Sequence, residues 1–229
     1  MELTHEAHEE LNARLNSSTE FDAMNGEYGD FQLRWISRVL GAAIVGTGNI
    51  LYGHQASYLK FRAIEVAARV PYFSWESAAY TMQTFMYTNN VRALELLRTA
   101  KYARLAHDNE TMHVVVISEL ARKEMPAGFI RHYLGPLLFA LSFFWVSYLL
   151  ALFKPAISQE INYIFESHAV KQYQEFIDTH EAELRGKPID SAFLTVYGRS
   201  PKNQYEFFRS LRNDELIHRN ASARLALGV

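Results

Sequence analysis

The chain contains no cysteine among its 229 residues. That excludes disulfides, thiolate metal sites and thiol redox control, so any metal held here is held by Glu, Asp and His, a hard donor set that suits iron or manganese. Proline and glycine are sparse, at 6 and 11, and they punctuate the chain at Gly53, Pro126, Pro136, Pro155, Gly186-Lys187-Pro188 and Gly198 to Pro201. Strand-like alternation between these points is weak. The pattern predicts helices over about 33–52, 56–86, 90–123, 128–152, 156–184 and 203–225, with Pro71 bending the second and residues 185–202 forming the one long loop. A formal charge of −2 leaves no basic stripe for nucleic acid. The first 30 residues are acidic and polar, unlike a secretory signal or an Arg-rich transit peptide. They read as a loose N-terminal arm, and residues 31–229 as one domain, whose 49% hydrophobic content suffices for a single large core.

What is present is a set of acids and histidines at helical spacing. Two Glu-x-x-His pairs, Glu110 with His113 and Glu215 with His218, sit in separate helix-like stretches, and Glu65 and Glu166 lie in two others. A Glu three residues before a His shares its helix face, so each pair can offer one carboxylate oxygen and one imidazole nitrogen to a metal between helices. The steps from 65 to 110 to 166 to 215 are roughly 50 residues each, room for one long helix and a connection. This is the ligand arrangement of ferritin-like di-iron carboxylate bundles, one Glu from each of two helices and Glu-x-x-His from each of the others. With 19 Glu and 9 His in the chain, about one Glu-x-x-His is expected by chance. A third one, Glu2 to His5, lies in the polar N-terminus and is read as that chance occurrence. The predicted fold is therefore all-α, a ferritin-like four-helix bundle around a di-iron centre.

Two further helices carry no candidate ligand and are unusually apolar. Leu134 to Phe153 runs twenty residues without a charge, and Ile36 to Tyr52 carries only Arg38. By length the first could span a bilayer. Its neighbours in sequence both carry ligands for one metal site, which a spanning helix would put on opposite sides. Attachment of the helices near 36–52 and 128–152 to one membrane interface fits better, with basic residues such as Arg34, Lys60, Arg131 and Lys154 near lipid headgroups.

From about residue 52 to 224 the chain resembles the alternative oxidases, most closely the branch that includes the plastid terminal oxidases, which oxidise quinols with O2. The matching words are Glu65-Val66-Ala67-Ala68-Arg69-Val70-Pro71-Tyr72-Phe73, Asn109-Glu110-Thr111-Met112-His113, Glu166-Ser167-His168-Ala169 followed by Tyr173, and Arg212-Asn213-Asp214-Glu215-Leu216-Ile217-His218. The resemblance implies a membrane-associated, monotopic homodimer with two non-haem iron ions, taking quinol (ubiquinol or plastoquinol) and O2 to quinone and water, insensitive to cyanide and pumping no protons. It implies the cytoplasmic face of a bacterial inner or thylakoid-type membrane for a short chain such as this. It implies that Asn109, Asp214 and Tyr173 support the metal site, and that Lys60, Ile64, Phe165, His168 and Gln172 stand at quinol-contact positions. The family usually has Arg and Leu where this chain has Lys60 and Ile64.

Tyr173 stands seven residues after Glu166, two turns along the same helix face, and with the resemblance it is expected to donate a proton and an electron. His168, two residues from Glu166, points the other way round the helix and is expected to contact quinol or lie at the surface. His54, His107, His132 and His180 read as structural or solvent-facing. Two rival functions stay open from sequence: a di-iron hydroxylase acting on a quinone precursor, and a non-catalytic iron-binding bundle.

Overall fold

The computed structural model describes residues 4–124 and 127–228; Glu2 and Pro126 lie outside the described residues. Among these residues ten α-helices follow in order: α1 His5–Arg14, α2 Ser18–Glu27, α3 Trp35–Tyr52, α4 Tyr58–Ala68, α5 Val70–Met86, α6 Asn90–Glu124, α7 Gly135–Phe153, α8 Pro155–Gly186, α9 Ala192–Tyr197 and α10 Gln204–Leu227. Among the described residues there is no strand. Side-chain caps start several helices. Thr4 Oγ1 accepts from the Ala7 amide, Ser57 Oγ from Lys60 and Asn203 Oδ1 from Glu206, each satisfying a donor that the first helical turn leaves unpaired.

Proline and glycine act where the sequence placed them. The helix expected over 56–86 breaks in two around Arg69, because Pro71 offers no amide to continue the ladder and sits at the start of α5 instead. Pro136 has the same effect at α7. The turn before it, Ile130–Leu134, widens to a π-helix in which the Gly135 amide reaches Ile130 O. Gly53, at φ 85°, ends α3 in a conformation that other residues resist.

A central bundle forms from α4 and α5, α6, α8 and α10, with α8 packed along α10 and α6 along α4 and α5. Its core includes Phe61, Met112, Val116, Ile117, Phe176, Phe207, Phe208 and Leu211. Helices α3 and α7 form an outer layer, α3 on α8 and α7 on α5, α4 and α8. Gly41 makes the first of these contacts possible: a Cβ there would lie 2.5 Å from Ile164 Cδ1. The start of α3 is pinned by the buried Glu160, which accepts from Ser37 Oγ at 2.6 Å, the Arg34 amide at 3.1 Å and the Arg34 guanidinium.

Helix α7 is built inside out. Phe143, Ser147 and Ala151 are buried, whereas Leu138, Leu141, Trp145, Val146, Leu149 and Phe153 are exposed. Among the described residues, Ile130–Phe153 is the one helix long and apolar enough to cross a membrane, and most of it is not buried by protein.

Two expectations are corrected. Of the first 30 residues, expected as a loose arm, the described ones, 4–30, are not loose: α1 and α2 dock on α10, burying His8, Asn12 and Leu15. Two of these anchors are polar, so hydropathy gave no sign of them. The loop expected over 185–202 holds α9, which Ser191 caps and Leu194 anchors to the core.

Candidate metal centre

The six sequence-predicted ligands converge. Glu65 comes from α4, Glu110 and His113 from α6, Glu166 from α8, and Glu215 and His218 from α10, all at 2% exposure or less. Their ligand atoms form two groups, Glu65, Glu110, His113 and Glu215 on one side and Glu110, Glu166, Glu215 and His218 on the other, each with atoms within 4.8 Å of one another. Glu110 and Glu215 belong to both groups, the position of bridging carboxylates between two ions.

Whether a metal suits this cluster can be judged from its unsatisfied atoms. Glu65 Oε2, Glu110 Oε2, both oxygens of Glu215, His113 Nδ1 and His218 Nε2 are buried without a hydrogen-bond partner, while Glu110 Oε1 lies 2.8 Å from His218 Nδ1. Each such group costs on the order of 1–3 kcal/mol when left unpaired, and six around one point is far beyond what a native core tolerates. Cations at that point would be met by the carboxylate oxygens and by one ring nitrogen of each histidine. The residues therefore fit two hard metal ions.

Around the ligands runs a second layer of hydrogen bonds. Asp214 is its hub: Oδ1 accepts from His8 Nε2 at 2.7 Å, Asn12 Nδ2 at 2.6 Å and Arg199 at 2.8 Å. Oδ2 accepts from His113 Nε2 at 2.9 Å, Asn109 Nδ2 at 3.2 Å and Arg199 at 2.5 Å. With Nε2 donating to Asp214, the Nδ1 edge of His113 faces Glu65, Glu110 and Glu215 at 3.3–3.6 Å; a bound metal would take its lone pair, and without one the facing Glu110 raises the imidazole against its burial, so that it holds a proton. Asn109 also donates to Tyr197 Oη at 2.8 Å. Sequence reasoning missed His8, Asn12 and Arg199, which stand in no ligand word.

The two lone glutamates are treated alike. Tyr173 Oη donates to Glu65 Oε1, not to Glu166 on its own helix, and Tyr72 Oη donates to Glu166 Oε1 at 2.6 Å. Each tyrosine stands seven residues after one glutamate and binds the other, and both rings are fully buried. Asn162 Nδ2 adds a 2.9 Å bond to Glu166 and another to Tyr72 Oη. Tyr72 lay inside a quoted word, but its role was not legible there.

Crowded carboxylates titrate abnormally. Burial pushes Glu65 up to about 7, and burial together with facing Glu110 and Glu166 raises Glu215 well above the usual range. Glu110 goes the other way, because His113 and His218 outweigh its burial. Asp214 is also buried, yet Arg199 and its other donors hold it well below an ordinary carboxylate. Without metal, the centre is thus a partly protonated acid cluster.

A cavity of about 170 Å³ reaches the cluster from the outer layer. Ile44, Val45 and Asn49 of α3, Pro136 and Phe139 of α7, and Ala63, Ile64 and Ala67 of α4 line it, and Glu65, Glu166 and Tyr173 stand on its wall. Of the positions singled out for quinol contact, Ile64, Phe165, His168 and Gln172 line this cavity. Lys60 does not. Its buried ammonium donates to Gln172 Oε1 at 2.6 Å, Asn49 Oδ1 at 3.0 Å and His54 O at 3.1 Å, bracing two wall residues from behind. Burial and the Lys60 charge lower His168, favouring its neutral ring.

Comparison with known proteins bears on the whole arrangement. A protein from Arabidopsis thaliana, "Ubiquinol oxidase 4, chloroplastic/chromoplastic", is 22% identical over 182 residues, covering 71% of this chain and 49% of that one. The chain thus spans about half the length of that curated relative. No solved structure matches. The sequence profile of the alternative oxidase family matches residues 32–227, which takes in every ligand and the cavity. The chain belongs to the alternative oxidase family.

Proposed function

We propose that this protein is a membrane-associated quinol oxidase that reduces O2 to water at a di-iron centre. The observation that carries the proposal is the position of the unsatisfied ligand ring. It lies at the inner end of an apolar cavity whose outer wall is made by α3 and the start of α7, two helices with exposed apolar surfaces. A cavity near 150 Å³ admits one benzene ring, so about 170 Å³ suits one quinol headgroup with its isoprenoid tail leaving toward lipid.

Two irons, when bound by Glu65, Glu110, His113, Glu166, Glu215 and His218, would supply O2 binding and electron storage between quinols. The protein does the rest. Ile64, Phe139 and Phe165 exclude water and hold the ring, while Gln172, kept in place by Lys60, and neutral His168 offer polar partners for its hydroxyls. The Tyr173 phenol holds a proton on Oη against Glu65. It is the residue proposed to give a proton and an electron as O2 is reduced.

Attachment to one leaflet through α3 and α7 follows from the inside-out pattern of α7 and from the ligands on α6 and α8 that flank it. Homodimer formation is carried over from the family. Two quinols and one O2 give two quinones and two waters. The test is O2 uptake by the purified, iron-loaded protein with a short-chain quinol, with and without cyanide. Uptake at a quinol to O2 ratio of two that cyanide leaves intact is the expected result. Absence of uptake at full iron occupancy would overturn the proposal, and a hydroxylated ring among the products would favour the hydroxylase reading.

A further inference from the structure

Helix α1 lies outside the residues that match the family, 32–227, yet it reaches the metal centre. His8, Asn12 and Leu15 fall on one face at steps of four and three, and that face is buried at 1%, 5% and 1% exposure. Leu15 packs on Val170, Leu216 and Ile217. His8 and Asn12 both donate to Asp214 Oδ1, at 2.7 and 2.6 Å, and Asn12 also donates to Ser210 O at 2.7 Å. Glu9, on the neighbouring edge, takes a bidentate pair from Arg199 at 2.7 and 2.8 Å. Arg199 in turn grips Asp214. Three side chains of one turn and a half therefore close over Asp214 and Arg199 from the outside, and the His8 ring lies 5.7 Å from the ring of His218.

Asp214 acts on the centre through one bond, that from His113 Nε2. If α1 were absent, Asp214 Oδ1 would lose two of its three donors and Arg199 would lose Glu9, so the carboxylate that orients the imidazole would be held less firmly. We infer that His8 and Asn12 are positioning residues of the metal centre, and that α1, which lies outside the residues the family profile matches, locks the Asp214–His113 pair. This inference rests on the metal-centre reading above. Residues that orient a metal ligand are worth about 10- to 100-fold in metal affinity. His8 stands one bond further out, which puts its share near the lower figure.

The probe is Co(II) added to the full-length metal-free protein, with stoichiometry, affinity and visible absorption read together. His8→Ala is expected to keep two sites, weaken binding by about tenfold and shift the cobalt absorption. His8→Gln, whose amide nitrogen can take the place of Nε2, is expected to restore the parent spectrum. A merely structural histidine would move thermal stability without either effect. By reciprocity, Co(II) must also hold α1 down: amides of residues 8–14 are expected to exchange about tenfold more slowly in the metal-bound parent, a reading that needs no variant to fold. A parent that binds no Co(II) overturns the metal-centre reading and this inference with it. A parent that binds two ions, with unchanged α1 exchange or with His8→Ala matching it in affinity and spectrum, overturns this inference alone.

Discussion

Replacing Asp214 by asparagine changes almost no volume but removes the charge on which six donor contacts converge. The amide keeps one acceptor oxygen and turns an NH2 toward donors that cannot receive it. Arg199, at 6% side-chain exposure, is left with Glu9 as its one ion-pair partner among the described residues. Removing one member of a buried ion pair costs about 3–5 kcal/mol, and the neutral contacts do not add in full because they share a single carboxylate. At roughly 2–4 °C per kcal/mol for a chain of this size, the melting point should fall by about 6–20 °C. The pH dependence has a definite sign. The Asp214 carboxyl is held well below its ordinary value, so its stabilising contribution is complete above the unfolded value near 3.9 and is lost as pH falls through the folded one. The gap between parent and Asp214→Asn should close in strong acid. Denaturant unfolding of both metal-free proteins, in matched detergent at several pH values, measures it. A difference under about 1 kcal/mol at pH 7 would show that the hub is not structural and would refute the reasoning.

Tyr173→Phe should retain fold, iron and membrane binding but lose most quinol oxidation, while Tyr163→Phe should matter less; a near-parent rate at full iron occupancy would return Tyr173 to the role of a core residue. Tyr72→Phe leaves Glu166 with its Asn162 bond at 2.9 Å and lies off the cavity wall, so metal affinity should fall by a few-fold at most, about 1 kcal/mol, with quinol oxidation spared relative to Tyr173→Phe; equal losses from the two would contradict this. Loading the metal should release protons, and affinity should drop below about pH 7, because Glu65 titrates near 7 in the metal-free centre and only its carboxylate binds; calorimetry in two buffers of different ionisation enthalpy reads the release, and pH-independent binding from 5.5 to 8 would exclude it. Leu141→Glu together with Leu149→Glu places charges on the exposed face of α7 and should release the protein from vesicles in a flotation assay, with retention on the membrane counting against α7 as the anchor.

How much of this was legible in the sequence depends on the range of the interactions. Glu110 with His113 and Glu215 with His218 announce themselves because the two members of each pair are one helical turn apart, and Pro71 and Pro136 act on their own backbone. The lone Glu65 and Glu166 were marked by their spacing from the two pairs, and the family words around them added to that reading. Tyr173 was placed on the face that meets the metal pocket, but its partner was not legible, since Glu65 is 108 positions away and no periodicity encodes the register between helices. Lys60 was expected at the quinol and instead turns to Gln172 and Asn49, because a buried ammonium gains more from three acceptors than from an apolar wall. The largest omission, α1, has a physical cause too: its bonds to Asp214 span about 200 residues, and a buried face made of His and Asn looks, in sequence, like a solvated one.

The same contacts divide the ligands by how firmly they are held. His113 is pinned by Asp214, and Glu65 and Glu166 are each tethered by a tyrosine. Neither oxygen of Glu110 or Glu215 and neither nitrogen of His218 has a hydrogen bond to anything beyond the cluster. His218 is kept in place by packing, between the rings of Tyr72 at 5.3 Å and His8 at 5.7 Å, which resists translation of the ring more than rotation about its own axis. A centre that must accommodate changes in charge needs ligands that can adjust and others that cannot. Here the adjustable ones are the two shared carboxylates and His218, all on α6 and α10, while the tethered glutamates face the cavity. A substrate arriving through that cavity therefore meets a fixed wall, and the freedom lies on the side that α1 closes.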